Sequence, residues 1–218
     1  MKVFLTLVMS AFLAVSSASA EMIKEENPYT LLKKVADQTF DRIGEDRNKI
    51  SEDPNYLKTI VKDELMPYVD NIYASKKVLG RYFKDTDEQQ RQAFYKAFTD
   101  YIVATYARAF TQYDESKHEV EFLQHPKVGP EDKVVVVETR VKEAGRPPIR
   151  LDFKVRYDSN ADVWKAYDLV VEGVSLLNSK QSEIAAVIRS RGIEGTIALL
   201  EDKANQPIKL DDKVDVPS

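Results

Sequence analysis

Seven aromatic side chains, Phe94, Tyr95, Phe98, Tyr101, Tyr106, Phe110 and Tyr113, share one stretch of helical periodicity between Asp87 and Tyr113. At about 100° per residue, Phe94, Phe98, Tyr101 and Thr105 form one strip, and Tyr95, Ile102, Tyr106, Phe110 and Tyr113 form the strip beside it. The two strips cover about half of the circumference, wider than the ~100° stripe of a helix lying on a protein surface. Lys96, Asp100 and several alanines take the other side. Such a helix has to be covered from two directions, by a sheet and by other helices, or has to turn part of its surface toward an enclosed apolar ligand. Thr86-Asp87-Glu88-Gln89 supplies its capping box.

The segments upstream are also helical. Asn27-Pro28 is a cap followed by proline at the first helical position, and Leu31, Leu32, Val35, Ala36, Phe40 and Ile43 recur at helical spacing. Asp53-Pro54 repeats the signal for a helix carrying Leu57, Ile60, Val61 and Leu65, which Pro67 kinks or ends. A short helix is predicted from Asn71 to Leu79, stopped at Gly80.

After Tyr113 the period changes to two. Val120 and Phe122 alternate with Glu119 and Glu121, and Val134 to Val137 continues through Thr139 and Val141. Ile149, Leu151, Phe153, Val155 and Tyr157 alternate with Arg150, Asp152, Lys154 and Arg156. Val163, Tyr167, Leu169 and Val171 mark a fourth strand. Turns at Glu143 to Pro148 and Asp158-Ser159-Asn160 are short enough to require antiparallel neighbours. The expected fold class is α+β, an antiparallel sheet of about four strands covered by helices. Helices from Ser179 to Arg191 and Glu194 to Ala204, broken at Gly192, close a single domain over residues 21–205, and residues 206–218 read as a flexible C-terminal tail.

Residues 1–20 read as a signal peptide: Lys2, an apolar stretch from Val3 to Val15, then Ala18-Ser19-Ala20 before Glu21. With no cysteine, the chain lacks disulfides, thiolate metal sites and a cysteine nucleophile. An exported chain of this size without disulfides is stabilised by its core alone, which suits a bacterial periplasm. The formal charge of −4 gives no positive field for nucleic acid.

Chemistry-bearing patterns are sparse. His118 and His125 are seven apart with no third ligand evident, so no metal site is expected. Gly173-Val174-Ser175 lacks the second glycine of a nucleophile elbow, so Ser175 reads as a cap or packing residue. No phosphate loop or dinucleotide fingerprint occurs, and no cofactor and no catalytic residue is assigned. Asp152 and Asp168 lie on neighbouring strands where an acid–base pair can form.

Several collinear segments together carry a family likeness. They are Asn27-Pro28-Tyr29-x-Leu31, Phe40-Asp41-Arg42, Pro54-Asn55-Tyr56-Leu57, Glu64-Leu65-Met66-Pro67-Tyr68-Val69 and Leu79-Gly80-Arg81-Tyr82. Further on stand Gly145-Arg146-Pro147-Pro148-Ile149-Arg150-Leu151-Asp152-Phe153, Trp164-Lys165-Ala166-Tyr167-Asp168, Glu172-Gly173-Val174-Ser175 and Arg189-x-Arg191-Gly192-Ile193-Glu194-Gly195. In this order and spacing, from about residue 27 to residue 200, the chain resembles the toluene-tolerance (MlaC) family of periplasmic phospholipid carriers. The resemblance implies an NTF2-like (cystatin-like) fold with a deep apolar pocket between helices and sheet. It also implies a monomeric, non-enzymatic carrier that exchanges phospholipid with an outer-membrane lipoprotein–porin complex and an inner-membrane ABC transporter complex with MCE-domain protein. That traffic, in the family's retrograde direction, keeps the outer membrane's lipid asymmetry.

On this reading the lipid-binding walls are Phe94, Phe98, Tyr101, Ile102 and Tyr106 of the long helix, with Val137, Thr139, Val141, Leu151, Phe153, Val155, Tyr167, Leu169 and Val171 of the strands. Val174 stands at the mouth, and Arg146 and Arg150 are candidates for head-group or partner contact. Two rival readings stay open: a periplasmic hydrolase or isomerase using Asp152 or Asp168, and a chaperone for lipoproteins or other proteins.

Overall fold

The computed structural model describes residues 22–123, 128 and 131–210. The expected signal segment, His125 and residues 211–218 of the expected tail lie outside the described residues.

Helix α1 (Pro28–Glu45) starts as its sequence dictates: the Asn27 carboxamide oxygen accepts the N–H groups of Tyr29 at 2.9 Å and Thr30 at 3.4 Å, and Pro28 occupies the first position. A helix that the sequence does not advertise, α2 (Arg47–Glu52), follows; it buries only Ile50, too little for a periodic signal. The helix expected after Pro54 is shorter than its apolar pattern. It runs as α3 (Tyr56–Ile60), widens into a π-turn at Val61–Leu65 and tightens to a 3-10 turn at Met66–Tyr68. That 3-10 turn contains Pro67, which has no N–H to continue a helix. The π-turn brings Glu64 under α1, where Arg42 at 2.5 Å and Gln38 at 2.7 Å donate to its carboxylate.

Helix α4 (Asn71–Leu79) ends at Gly80, whose φ of +53° is reached at little cost without a Cβ. A 3-10 turn then leads to α5 (Glu88–Phe110). The capping box of α5 sits one residue later than expected: Asp87 caps, Gln90 answers it, and the Thr86 hydroxyl turns back to the Phe83 carbonyl. After the sheet, α6 (Leu176–Asn205) is broken at Gly192, where φ is +72°. The residues after Asn205 do not all fray as expected. Ile208 is buried, its N–H bonds the Asn55 side chain at 3.2 Å, and Lys58 and Arg108 donate to the Gln206 carbonyl.

The strands are β1 (His118–Phe122), β2 (Val134–Glu143), β3 (Ile149–Asp158), β4 (Val163–Val171) and β5 (Val174–Ser175), antiparallel and in chain order; the two-residue β5 was not expected. In the β2–β3–β4 register, Val137, Phe153 and Leu169 lie side by side, as do Thr139, Leu151 and Val171, so these rows share one face. Between Lys154 and Val155 the register shifts, because β4 carries one extra residue, Tyr167.

Three apolar clusters hold the molecule together. One joins α1 to the sheet through Leu31, Leu32, Val35, Val137, Val155 and Trp164. A second is wholly helical, with Ala74, Leu79, Phe94, Phe98, Ile184 and Leu200 from α4, α5 and α6. The third packs Ile50, Leu57, Ile60 and Val61 against Val103 and Ala107 of α5, with Ile208.

Candidate functional site

Helix α5 takes α6, α4, α3 and the π-turn as its close backbone neighbours, and the strands are not among its principal ones. The two aromatic strips therefore divide their work differently from the expectation. Phe94 and Phe98, at 0% and 2% exposure, stack at 5.8 Å inside the helical cluster and are not walls of an interior space. Val137 and Val155, each 0% exposed, are sealed beneath α1. Thr139 is also fully buried, its hydroxyl donating to the Leu151 carbonyl.

Tyr167 leaves the face on which alternation put it. The extra residue in β4 turns its ring against Tyr73 of α4, edge to face at 5.1 Å, and the Arg156 guanidinium lies 4.5 Å from that same Tyr73 ring. A one-residue bulge reverses facing, and no sequence period announces it.

The remaining predicted wall residues behave alike. Val141, Leu151, Leu169 and Val171 lie outside all three packed clusters and keep accessible surface. Phe153, one row deeper, is half-buried against the α1–sheet cluster. On α5, Tyr101, Ile102 and Tyr106 are also only half-buried. Tyr101 stands at the α5–α6 seam, its hydroxyl accepting from Lys180 at 2.9 Å. Tyr106 is the deep member. Burial first, and then the Asp168 carboxylate, push its hydroxyl up to about 12. At the rim, Ile149 is 49% exposed and Val174 is 46% exposed, on the β2–β3 and β4–β5 turns.

The polar residues nearest the rim are already engaged. Arg146 pairs with Glu143 at 2.8 Å, and Arg150 divides its guanidinium between Asp152 at 2.8 Å and Glu138 at 3.1 Å. An incoming phosphate at Arg150 competes with two carboxylates. Asp152 and Asp168 do not form a shared acid pair. Asp152 is directly opposite Val170, and Asp168 opposite Lys154, with the Ser175 hydroxyl at 2.7 Å and the Leu177 N–H at 3.0 Å. Ser175 is the N-cap of α6. His118 accepts the Asp114 N–H at 3.0 Å and stacks on Tyr113. Among the described residues no cluster of histidine and carboxylate side chains is placed to hold a metal ion.

A separate groove of about 580 Å³ opens between the end of α1, α2 and the end of α5, floored by Phe40, Ile43, Ile50, Leu57, Phe110 and Tyr113. None of the predicted wall residues lines it. Phe40 stacks on Tyr113 at 4.2 Å and meets Phe110 edge-on at 6.0 Å, and an Arg47–Glu115 ion pair of 2.7 Å bridges the rim. The sequence marked Phe40 and Tyr113 only as apolar positions of two helices, and their meeting is a tertiary fact.

This is an α+β domain with one core of helices and another where α1 crosses the sheet, and it leaves Val141, Leu151, Leu169 and Val171 on one sheet face partly exposed, apolar surface of the kind that a ligand site uses. Residues 33–202 match the MlaC protein family, and the chain belongs to it. It is similar to the intermembrane phospholipid transport system binding protein MlaC of Haemophilus influenzae, 37% identical over 204 residues that span 94% of this chain and 92% of that one. Its fold is similar to that of a phospholipid-binding protein from Ralstonia solanacearum, solved in complex with a phospholipid. The TM-score is 0.68 at 23% identity, over 79% of this chain and 94% of that one.

Proposed function

We propose that this chain carries phospholipid between the two membranes of a bacterial envelope, moving through the periplasm after export. The observation that carries the reading is membership of the MlaC family, and the partly exposed apolar side chains of Leu151, Leu169 and Val171 on one face of the sheet support it. A two-chain phospholipid exposes on the order of 30 methylenes, each costing about 0.8 kcal/mol in water, so roughly 20–25 kcal/mol opposes free passage through an aqueous space. A carrier lowers that barrier by giving the chains an apolar enclosure. The carboxylate-paired state of Arg146 and Arg150 supports a head group left largely in water, with different head groups tolerated. The partners are an outer-membrane lipoprotein–porin complex as one exchange station and an inner-membrane ABC transporter complex with MCE-domain protein as the other.

The test is organic extraction of the protein purified from a bacterial host, followed by mass spectrometry. Diacyl phospholipid recovered at near-stoichiometric yield is the expected result. Recovery of an acylated protein favours a lipoprotein chaperone, and turnover of phospholipid by the pure protein favours an enzyme.

A further inference from the structure

Beyond Asn205 the chain is held down as far as Leu210. Lys58 donates to the Ala204 carbonyl at 2.8 Å and to the Gln206 carbonyl at 3.2 Å, and Arg108 reaches the same Gln206 carbonyl at 3.2 Å. Ile208 is buried in the cluster built on α3 and α5, with its N–H on the Asn55 side chain. Leu210, two residues on, lines the groove floored by Phe40, Ile43 and Phe110, and is 50% exposed. The last described residue thus stands in the groove, and residues 211–218 continue from it.

The sequence of that continuation suits the groove. Ile208, Leu210, Val214 and Val216 fall at even spacing, so in an extended chain they lie on one face. Lys209, Asp211, Lys213 and Asp215 take the other face, as in a strand with one side buried. Pro217 restricts Val216 before it to extended backbone. From Leu210 to Val216 an extended chain reaches about 20 Å, enough to traverse a groove of about 580 Å³. The lining favours a peptide over a hydrocarbon chain. Its apolar floor is edged by Arg47, Asp114, Glu115 and Lys117, and backbone N–H and C=O groups need polar partners that an acyl chain does not.

We propose that residues 211–218 run along this groove as an extended strap, seating Val214 and Val216 on its apolar floor and tying the end of α1 to the end of α5. Asp212, the one polar member of the row, then falls beside a rim carrying Arg47 and Lys117, each more than half exposed in its ion pair. The strap lies away from the predicted lipid walls, none of which lines this groove, so the inference stands apart from the carrier reading.

The full chain, with valine and isoleucine methyls labelled, is examined by nuclear Overhauser spectroscopy. Cross-peaks from the Val214 or Val216 methyls to the Ile43 methyls or the Phe40 ring are expected in wild type. Deletion of residues 211–218 is expected to shift the Ile43 methyl resonances, which sense the neighbouring rings. Val214→Asp combined with Val216→Asp keeps the length of the segment, and is expected to lose the cross-peaks and reproduce that shift. Valine methyls without contact to the groove, or Ile43 resonances unmoved by the deletion, overturn the proposal. Cross-peaks from Ile43 to co-purified acyl chains, or to a second copy in a mixed-isotope sample, in place of those to Val214 and Val216 overturn it as well. Should neither variant fold, the wild-type cross-peaks decide by their presence or absence.

Discussion

The Asp168 carboxylate accepts the backbone N–H of Leu177 at 3.0 Å, tying β4 to the first turn of α6. Its other oxygen receives the Ser175 hydroxyl at 2.7 Å and the Lys154 ammonium at 3.0 Å. A helix terminus leaves N–H groups without intrahelical partners, and a carboxylate satisfies them while complementing the helix dipole. One buried side chain thus fixes where α6 starts relative to the sheet.

Asp168→Ala strands Lys154 and the first turn of α6 at once, and is expected to cost about 2–3 kcal/mol in denaturant unfolding. Asp168→Asn keeps an acceptor for Leu177 and should lose less. Faster amide exchange confined to the first turn of α6 in the alanine variant locates the effect, and equal stability of Asp168→Ala and wild type contradicts it.

The Arg42–Glu64 pair holds α1 to the π-turn with the Glu64 side chain only 9% exposed, and Arg42 also reaches Asp63 at 3.0 Å. Removing the cation alone leaves a buried carboxylate poorly compensated, so Arg42→Met is expected to destabilise by about 3–5 kcal/mol. Arg42→Met combined with Glu64→Leu should recover most of that loss. A double variant no more stable than Arg42→Met in urea titration contradicts this account.

Tyr106 gives the stability a readable alkaline limb. An unfolded tyrosine titrates near 10.0, while burial, aided by Asp168, raises this one to about 12. Below pH 10 both states hold the proton and the contribution is complete. Between pH 10 and pH 12 the unfolded chain loses its proton while the folded one keeps it, so stability falls, by about 2–3 kcal/mol in all for this group. Tyr29, also raised to about 12, adds to the same window. Thermal unfolding midpoints from pH 9 to pH 12 should therefore fall less steeply in Tyr106→Phe than in wild type.

Phe94 belongs to the helical core, so Phe94→Ala is expected to cost about 3–5 kcal/mol through the cavity it leaves. Its molecules that remain folded should still carry lipid, since Phe94 has no exposed surface to offer an acyl chain. Loss of bound lipid without loss of stability would return Phe94 to the wall.

Much of this fold was legible because its signals are local. Asn27-Pro28, Asp87 and Gly192 set backbone boundaries within a few residues of themselves, and the alternation from Ile149 to Tyr157 is a property of one strand. The misreadings share a different cause. Phe94, Phe98, Val137 and Val155 have the same sequence signature as Ile102, Leu151 and Leu169, because fully sealed and partly exposed apolar positions accept the same residue types. Only the path of α1 across the sheet, and of α4 and α6 along α5, separates them. Tyr167 was misplaced by a single extra residue in β4, and the groove at Phe40 and Tyr113 exists only where α1 meets the end of α5.

Val174 separates the roles of wall and scaffold most cleanly. It is 46% exposed in a two-residue strand, directly opposite Val171, so replacing it removes little packing. Exposed substitutions of this kind usually change stability by no more than about 0.5 kcal/mol. A carboxylate at this point nevertheless lies beside the rows of Val171 and Leu151, where an acyl chain would have to pass. Held against hydrocarbon it must be desolvated or must exclude the chain, and exclusion is the less costly response. Val174→Glu is therefore expected to keep the wild-type melting temperature and to lose most co-purified phospholipid in quantitative mass spectrometry, with Val174→Ser retaining more. A glutamate variant that still carries its full lipid complement would show that the chains enter elsewhere, and the groove floored by Phe40 and Phe110 would then be the first place to look.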